Sequence, residues 1–383
     1  MLGDAAGKLE NGACDRYTRG MNPFSRREFL AASTVSMASL SAAGAQPGSK
    51  ALVDPVRSGA RPVSIASANG QAAVARAMEL LKDGYDPADA VVQGVRIVED
   101  DPKDNSVGLG GLPNADGVVE LDASVMHGPT HKSGAVASVQ RIKNVAMLAL
   151  LVLRRTDHCL IVGDGARRFA LSHGFKEEDL LTEESRKAWM KWRENLSKDD
   201  DWLNDDERDA PAGNAWSEPG LTAMSGPVPY TTGTIHCSAV TPGGDVASCT
   251  TTSGLSWKIP GRVGDSPIIG AGNYCDNAVG AGGCTGRGEA AIVNLSAYTI
   301  VMAMERGLSP TDACLEAAKR MVDRTKEKRL LAAGGKPNFN VRFYALRKDG
   351  AHGSAAIFGP NSYAVADAGG ARIVETPSLF PGP

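Results

Sequence analysis

The 383-residue sequence predicts a layered α/β domain in which sheet packs on sheet and helices cover the outside. Three observations carry this. Helix-period runs stand at the start and again late in the chain, around two groups of strand-like runs. The length suits one large layered domain as readily as two or three average ones. The 44 glycines gather in the second half, where they permit tight turns and close backbone approach.

Taken in order, residues 62–65 read as a strand entering a helix over 71–81, which Gly84 stops. A second helix covers 87–98, with Ala90, Val91, Val95 and Val98 on its apolar face. A glycine-rich turn at 106–111 precedes a strand at 118–121. A long apolar helix centres on 146–153, and two short helices fall at 164–174 and 183–193. From about 194 to 232 periodicity stops: Asp199-Asp200-Asp201 and Asp205-Asp206-Glu207 alternate with prolines and glycines. A long acidic connection of this kind is functional or solvated, and it lacks the spacing of a calcium loop. Residues 234–240 and 246–252 then read as two strands of a hairpin joined by Pro242-Gly243-Gly244-Asp245. Glycine-rich loops through Gly288 lead to a helix over 289–304, and Ser309-Pro310 caps another. Strands at 341–347, 353–358 and 362–367 close the chain.

Ser25-Arg26-Arg27-Glu28-Phe29-Leu30, followed by a small-residue apolar run ending Ala43-Gly44-Ala45, has the form of a secretory signal with twin-arginine character, with Met21 as a candidate start. Residues 1–45 are therefore set apart as a leader, and export to the periplasm is expected. The net charge of -3 gives no electrostatic footprint for nucleic acid, and no later run is apolar enough for a membrane span. Seven cysteines form no C-x-x-C pair and no metal spacing, and neither a metal nor another cofactor is expected. Six lie beyond the leader, enough for disulfides, but most sit in apolar runs that suit buried free thiols.

Folding the hairpin about its turn brings Thr234 nearly opposite Ser253, and so beside Thr252 within a residue of register. A threonine hydroxyl is a poor nucleophile without a base. His236 points to the same side but belongs to the strand itself, and no histidine–carboxylate pair accompanies it. If the bond between Gly233 and Thr234 were cut, the new α-amine would supply a base with a pKa of about 7.7–8.0. Downstream, Arg262 and Asp265 place opposite charges three residues apart among glycines. They suit the two ends of an amino-acid zwitterion, or else a surface ion pair. Gly286, where a loop meets a helix, offers a backbone N–H to an oxyanion, with the Thr252 hydroxyl as second donor.

The run Thr234 to Glu289 resembles the glycosylasparaginase (aspartylglucosaminidase) family of N-terminal-nucleophile hydrolases. So do Asn105-Ser106-Val107-Gly108-Leu109-Gly110-Gly111, Leu121-Asp122-Ala123-Ser124-Val125-Met126, Ile142-Lys143-Asn144 and Leu160-Ile161-Val162-Gly163-Asp164-Gly165-Ala166, in the family's order. The most specific segment is Gly261-Arg262-Val263-Gly264-Asp265-Ser266-Pro267. The resemblance implies a four-layer αββα sandwich, and self-cleavage into chains 46–233 and 234–383 that stay associated, with two such protomers pairing. It makes Thr234 the nucleophile and Thr252 an oxyanion donor. Arg262 would bind the substrate α-carboxylate and Asp265 its α-amino group. Thr285 and Gly286 would close the pocket, Gly286 also donating to the oxyanion, and Ser106 would be a secondary contact near Thr234. The implied substrate is N4-(β-N-acetylglucosaminyl)-L-asparagine or a related β-aspartyl compound.

Three positions depart from that pattern. Gly233 stands where glycosylasparaginases place an aspartate that assists self-cleavage; a Gly-Thr junction is similar to plant-type asparaginases and isoaspartyl peptidases. Cleavage would then draw on backbone strain that glycine permits. His236 stands where the family has glycine, and Ser67 where glycosylasparaginases have a tryptophan near the substrate. L-asparaginase or isoaspartyl peptidase activity is thus the alternative, and an uncut, non-catalytic binder of aspartate-like ligands is the contrasting class.

Overall fold

The computed structural model describes residues 61–194 and 233–382; the leader and most of the acidic connection lie outside the described residues. β1 (Val63–Ser67) is buried along its length and runs through a short 3-10 turn into α1 (Gln71–Lys82). α2 (Pro87–Glu99) begins where Asp86 accepts the Ala88 N–H at 2.8 Å, with Pro87 in the first turn, where a missing N–H costs nothing. β2 (Glu120–His127) and β3 (Lys132–Gln140) form a hairpin. α3 (Val145–Arg155), β4 (Leu160–Val162), α4 (Gly163–Ser172) and α5 (Glu183–Glu194) follow.

After the connection come β5 (Ile235–Val240), β6 (Val246–Thr252), β7 (Asn273–Asp276) and β8 (Gly280–Gly286). The chain continues through α6 (Gly288–Asn294), α7 (Ser296–Glu305) and α8 (Pro310–Arg324), and ends in β9 (Val341–Arg347), β10 (His352–Phe358), β11 (Asn361–Asp367), β12 (Gly370–Thr376) and β13 (Ser378–Phe380). An eight-stranded sheet runs in the order β12-β11-β1-β5-β6-β2-β3-β4, and a five-stranded sheet in the order β13-β10-β9-β8-β7. α1 to α4 pack on the first sheet, and α7 and α8 on the second. Between the sheets lies a layer of Ile65, Met126, Val240, Ala281, Tyr344 and Val365. The predicted αββα sandwich is the fold observed.

Four local expectations change. The strand expected at 118–121 is β2, shifted later, because Asn114 holds residues 116 and 118 in a turn through its side-chain oxygen. The hairpin partner β3 and the short β4 had not been anticipated. Residues 273–286, expected as loops, include β7 and β8. The helix expected over 289–304 breaks at Leu295, which takes φ 47°. The break frees the Ala297 and Tyr298 N–H groups to bond the carbonyls of Ala271 and Gly270, both at 2.9 Å. The described cysteines are all free thiols: Cys159 is exposed and Cys237, Cys249, Cys275, Cys284 and Cys314 are buried.

Candidate active site

β5 and β6 are central strands of the larger sheet, and their register pairs Ile235 with Thr251. Continued by one residue, it sets Thr234 opposite Thr252, one position from the Ser253 pairing read from the sequence. The Thr234 hydroxyl donates to Thr252 Oγ1 at 2.9 Å, and that oxygen also accepts the Gly254 N–H at 2.9 Å. Thr234 takes φ 79°, in the left-handed region that β-branched residues avoid. The left-handed conformation therefore falls on the residue that directly follows Gly233. Conformations of this kind cost on the order of 1–3 kcal/mol and persist where surrounding structure imposes them.

Arg262 and Asp265 come together across Gly288, the first residue of α6. A β-carbon there would lie 2.9 Å from both Arg262 Nη2 and Asp265 Oδ1, so only glycine fits the floor between them. Arg262 is not spent on Asp265: its Nε and Nη2 hold Glu289 Oε1 at 2.8 and 2.7 Å. Burial disfavours ionised Glu289, but the Arg262 and Arg287 guanidiniums outweigh this and hold its carboxyl below the ordinary value. Asp265 is 5% exposed, and burial pushes its carboxyl up to about 6, against the Cys284 thiol at 3.4 Å and the Arg262 charge. A buried carboxylate with little compensation is suited to receiving a cation.

Thr285 is buried in β8, its hydroxyl 3.0 Å from the Tyr344 hydroxyl. Gly286, next along, takes φ 126°, and a β-carbon on it would stand 2.4 Å from the Asn340 carbonyl oxygen. Ser106 is buried beside the junction: its β-carbon is 3.7 Å from where one on Gly233 would be, and its carbonyl accepts the Ser253 N–H at 2.7 Å and hydroxyl at 2.9 Å.

Several supporting groups were not singled out by the sequence reading. Glu289 is one. Glu99 is another: wholly buried, it accepts the Thr251 hydroxyl at 2.8 Å and the Ala146 N–H at 3.0 Å, and burial raises its carboxyl to about 7. Lys258 is buried on the loop after β6 and donates to the carbonyls of Ser253 and Glu120, both at 3.0 Å. The Ser67 hydroxyl lies within 3.5 Å of the Thr234 carbonyl oxygen and donates to Asn69 Oδ1 at 2.7 Å. His236 is accommodated by Gly283 on the facing sheet, where a β-carbon would stand 2.2 Å from the imidazole. The ring stacks on Tyr344 at 5.6 Å and bonds Thr250 and Ser238, each at 2.8 Å. Burial drives its pKa down to about 3, so it stays neutral and takes no proton at ordinary pH.

A family model described as asparaginase matches residues 57–339. The N(4)-(β-N-acetylglucosaminyl)-L-asparaginase of Elizabethkingia miricola is 38% identical over 322 residues, 83% of this chain and 85% of that protein. A probable isoaspartyl peptidase/L-asparaginase 3 of Arabidopsis thaliana is 32% identical, covering 81% and 88%. The isoaspartyl peptidase of Salmonella typhimurium is 38% identical, covering 62% and 70%. These matches establish that the chain belongs to the asparaginase family and is a hydrolase of the N-terminal-nucleophile type.

Proposed function

We propose that the chain is exported by its twin-arginine leader, cuts itself between Gly233 and Thr234, and then hydrolyses the side-chain amide of N4-(β-N-acetylglucosaminyl)-L-asparagine. The observation that carries this reading is Thr234 itself, held at φ 79° on the uncut chain with its hydroxyl on Thr252. While its nitrogen is locked in a peptide bond the threonine lacks a base. Once freed, the α-amine takes the hydroxyl proton as Thr234 Oγ attacks the amide carbon. The oxyanion is received by the Thr252 hydroxyl and the Gly286 N–H. The amine leaves with the proton, and water then hydrolyses the β-aspartyl ester to aspartate. Arg262 holds the substrate carboxylate, Asp265 its ammonium, and Thr285 closes the pocket wall. The α chain (46–233, ending in the acidic linker of about 194–233) and the β chain (234–383) stay associated, and two such protomers pair.

A second reading keeps the chemistry and changes the leaving group. Ser67 in place of a bulky contact and the Gly-Thr junction favour asparagine or isoaspartyl peptides, which share the aspartyl half that Arg262 and Asp265 would hold. Denaturing electrophoresis with N-terminal sequencing tests the shared part: a fragment beginning at Thr234 is expected, and Thr234→Ala stays uncut and inactive. A purified chain that remains whole and still turns over substrate refutes it. Rates on glycosylated asparagine, asparagine and β-aspartyl dipeptides decide the leaving group. Loss of periplasmic material when Arg26 and Arg27 become lysines tests the leader.

A further inference from the structure

Cutting the Gly233–Thr234 bond is a reaction of its own, and it proceeds before any free α-amine exists to act as base. Two serines flank that bond. Ser106 lies on the acyl side, its β-carbon 3.7 Å from the β-carbon position of Gly233. Ser67 lies on the amine side, 3.5 Å from the Thr234 carbonyl oxygen, and its oxygen accepts the His236 N–H at 3.3 Å. Both serines lead to one carboxylate. The Ser106 hydroxyl and N–H donate to Asp104 Oδ1, the N–H at 3.0 Å. Asn69 donates to Asp104 Oδ2 at 2.9 Å and receives the Ser67 hydroxyl at 2.7 Å. A turn-forming aspartate explains the bonds to Oδ1 alone. The reach of Oδ2 to Asn69 and on to Ser67 is no part of such a turn.

We infer that Asp104 is the positioning carboxylate of self-cleavage, acting through Ser106 on one side of the bond and through Asn69 and Ser67 on the other. The inference rests on the reading that the chain cuts itself before Thr234. Thr234 Oγ adds to the Gly233 carbonyl carbon, the C–N bond breaks, and the hydroxyl proton ends on the freed amine, leaving an ester. Water then adds to the same carbon and the C–O bond breaks. Gly233 is left as a carboxylate and Thr234 with its hydroxyl and amine, one water consumed. In both additions the attacking oxygen must shed a proton beside Ser106. A serine hydroxyl whose own proton is held by a carboxylate has a more basic oxygen, because a charge-assisted hydrogen bond polarises it. Asp104 thereby supplies at a distance the carboxylate that Gly233 lacks, and Ser67 braces the strained threonine meanwhile.

The test follows full-length chain made by cell-free translation, with precursor and fragments resolved over time on denaturing gels. Asp104→Asn is expected to lengthen the half-time of cleavage about tenfold or more. Gly233→Asp, which puts a carboxylate beside Ser106, is expected to return the Asp104→Asn chain to within about threefold of wild type. Asp104→Asn cleaving at the wild-type rate overturns the inference. So does slow cleavage that Gly233→Asp does not restore, since a broken turn is not mended by a charge at residue 233. If Asp104→Asn shows no cooperative melting, Ser106→Ala with and without Gly233→Asp decides by the same two outcomes. A wild-type chain that never cuts overturns the underlying reading and this inference with it; wild type that cuts no faster than Asp104→Asn overturns the inference alone.

Discussion

Asp265→Asn separates what this carboxylate does for substrate from what it does to the fold. Asp265 is 5% exposed, and burial raises its carboxyl from 3.8 to about 6 despite the Cys284 thiol and the Arg262 charge. In the unfolded chain the same group ionises at its ordinary value. Between those two values the native state therefore holds more protons than the unfolded one, and stability falls as pH rises through that window. The rise from 3.8 to about 6 corresponds to a destabilisation of roughly 3 kcal/mol, present in full above pH 6. Asparagine keeps the shape and removes the charge, so the variant is expected to be more stable than the parent at pH 8 and equal to it near pH 4. For the roughly 280 described residues, an unfolding entropy of about 2.1 cal/mol/K per residue turns 3 kcal/mol into a Tm gain of about 5 °C. Melting both proteins in an uncleavable Thr234→Ala background keeps the covalent state equal. On the proposed function, the same substitution in the processed enzyme removes the partner of the substrate ammonium. The loss of 2–5 kcal/mol typical of a buried charge pair predicts a fall in kcat/KM of roughly thirtyfold to several thousandfold. Wild-type kcat/KM should itself fall with acid near pH 6. A Tm difference that is the same at pH 4 and pH 8, or a variant less stable at pH 8, refutes the reasoning.

Two further substitutions probe the rest of the site. Glu289→Gln leaves the Arg262 guanidinium without its charged partner, and KM should rise about three- to thirtyfold with kcat changed much less, the signature of lost uniform binding; steady-state kinetics on the preferred amide checks this. Gly283→Ala places a β-carbon 2.2 Å from the His236 ring. Overpacking of that kind costs about 1–3 kcal/mol, read as a lower denaturation midpoint. Adding His236→Gly should recover most of the loss.

The helices at 71–81 and 87–98, and the hairpin that carries Thr234, were legible in the sequence because local periodicity and turn chemistry agree with the fold there. β8 was not legible, and the reason is physical. Its run Gly280-Ala281-Gly282-Gly283-Cys284-Thr285-Gly286 reads as loop by propensity, yet the small residues are what tertiary packing demands. A β-carbon on Gly282 would meet the Ala297 carbonyl oxygen at 2.8 Å, and one on Gly283 would meet His236. The break at Leu295 was hidden for a similar reason, since its cause is the carbonyls of a loop some 25 residues earlier. Arg262 and Asp265 were readable as a pair because they lie three residues apart. Glu289, which holds Arg262, is 27 residues away, and no local spacing marks it as the partner. Asp104 shares that character: its tie to Ser106 is local, but its tie to Asn69 spans 35 residues.

The placement of the junction explains how a cut there would leave the site assembled. Thr234 precedes β5, which lies between β1 from before the cut and β6 from after it. β2, also from before the cut, pairs with β6 through Asp122 and Thr252. Ser253 bonds the Ser106 carbonyl, and Thr251 bonds the buried Glu99. Thr234 and its neighbours are thus held by ladders and side-chain bonds that cross between the two halves at many points besides the peptide link. Breaking that link would remove one covalent bond from a lattice of contacts that does not depend on it. It would relieve the left-handed strain on Thr234 and expose the one base the threonine lacks. The strain and the missing base are therefore two aspects of one precursor state. The same cut ends both, and that is why the contacts bearing on φ at Thr234 are where control of activation should be sought.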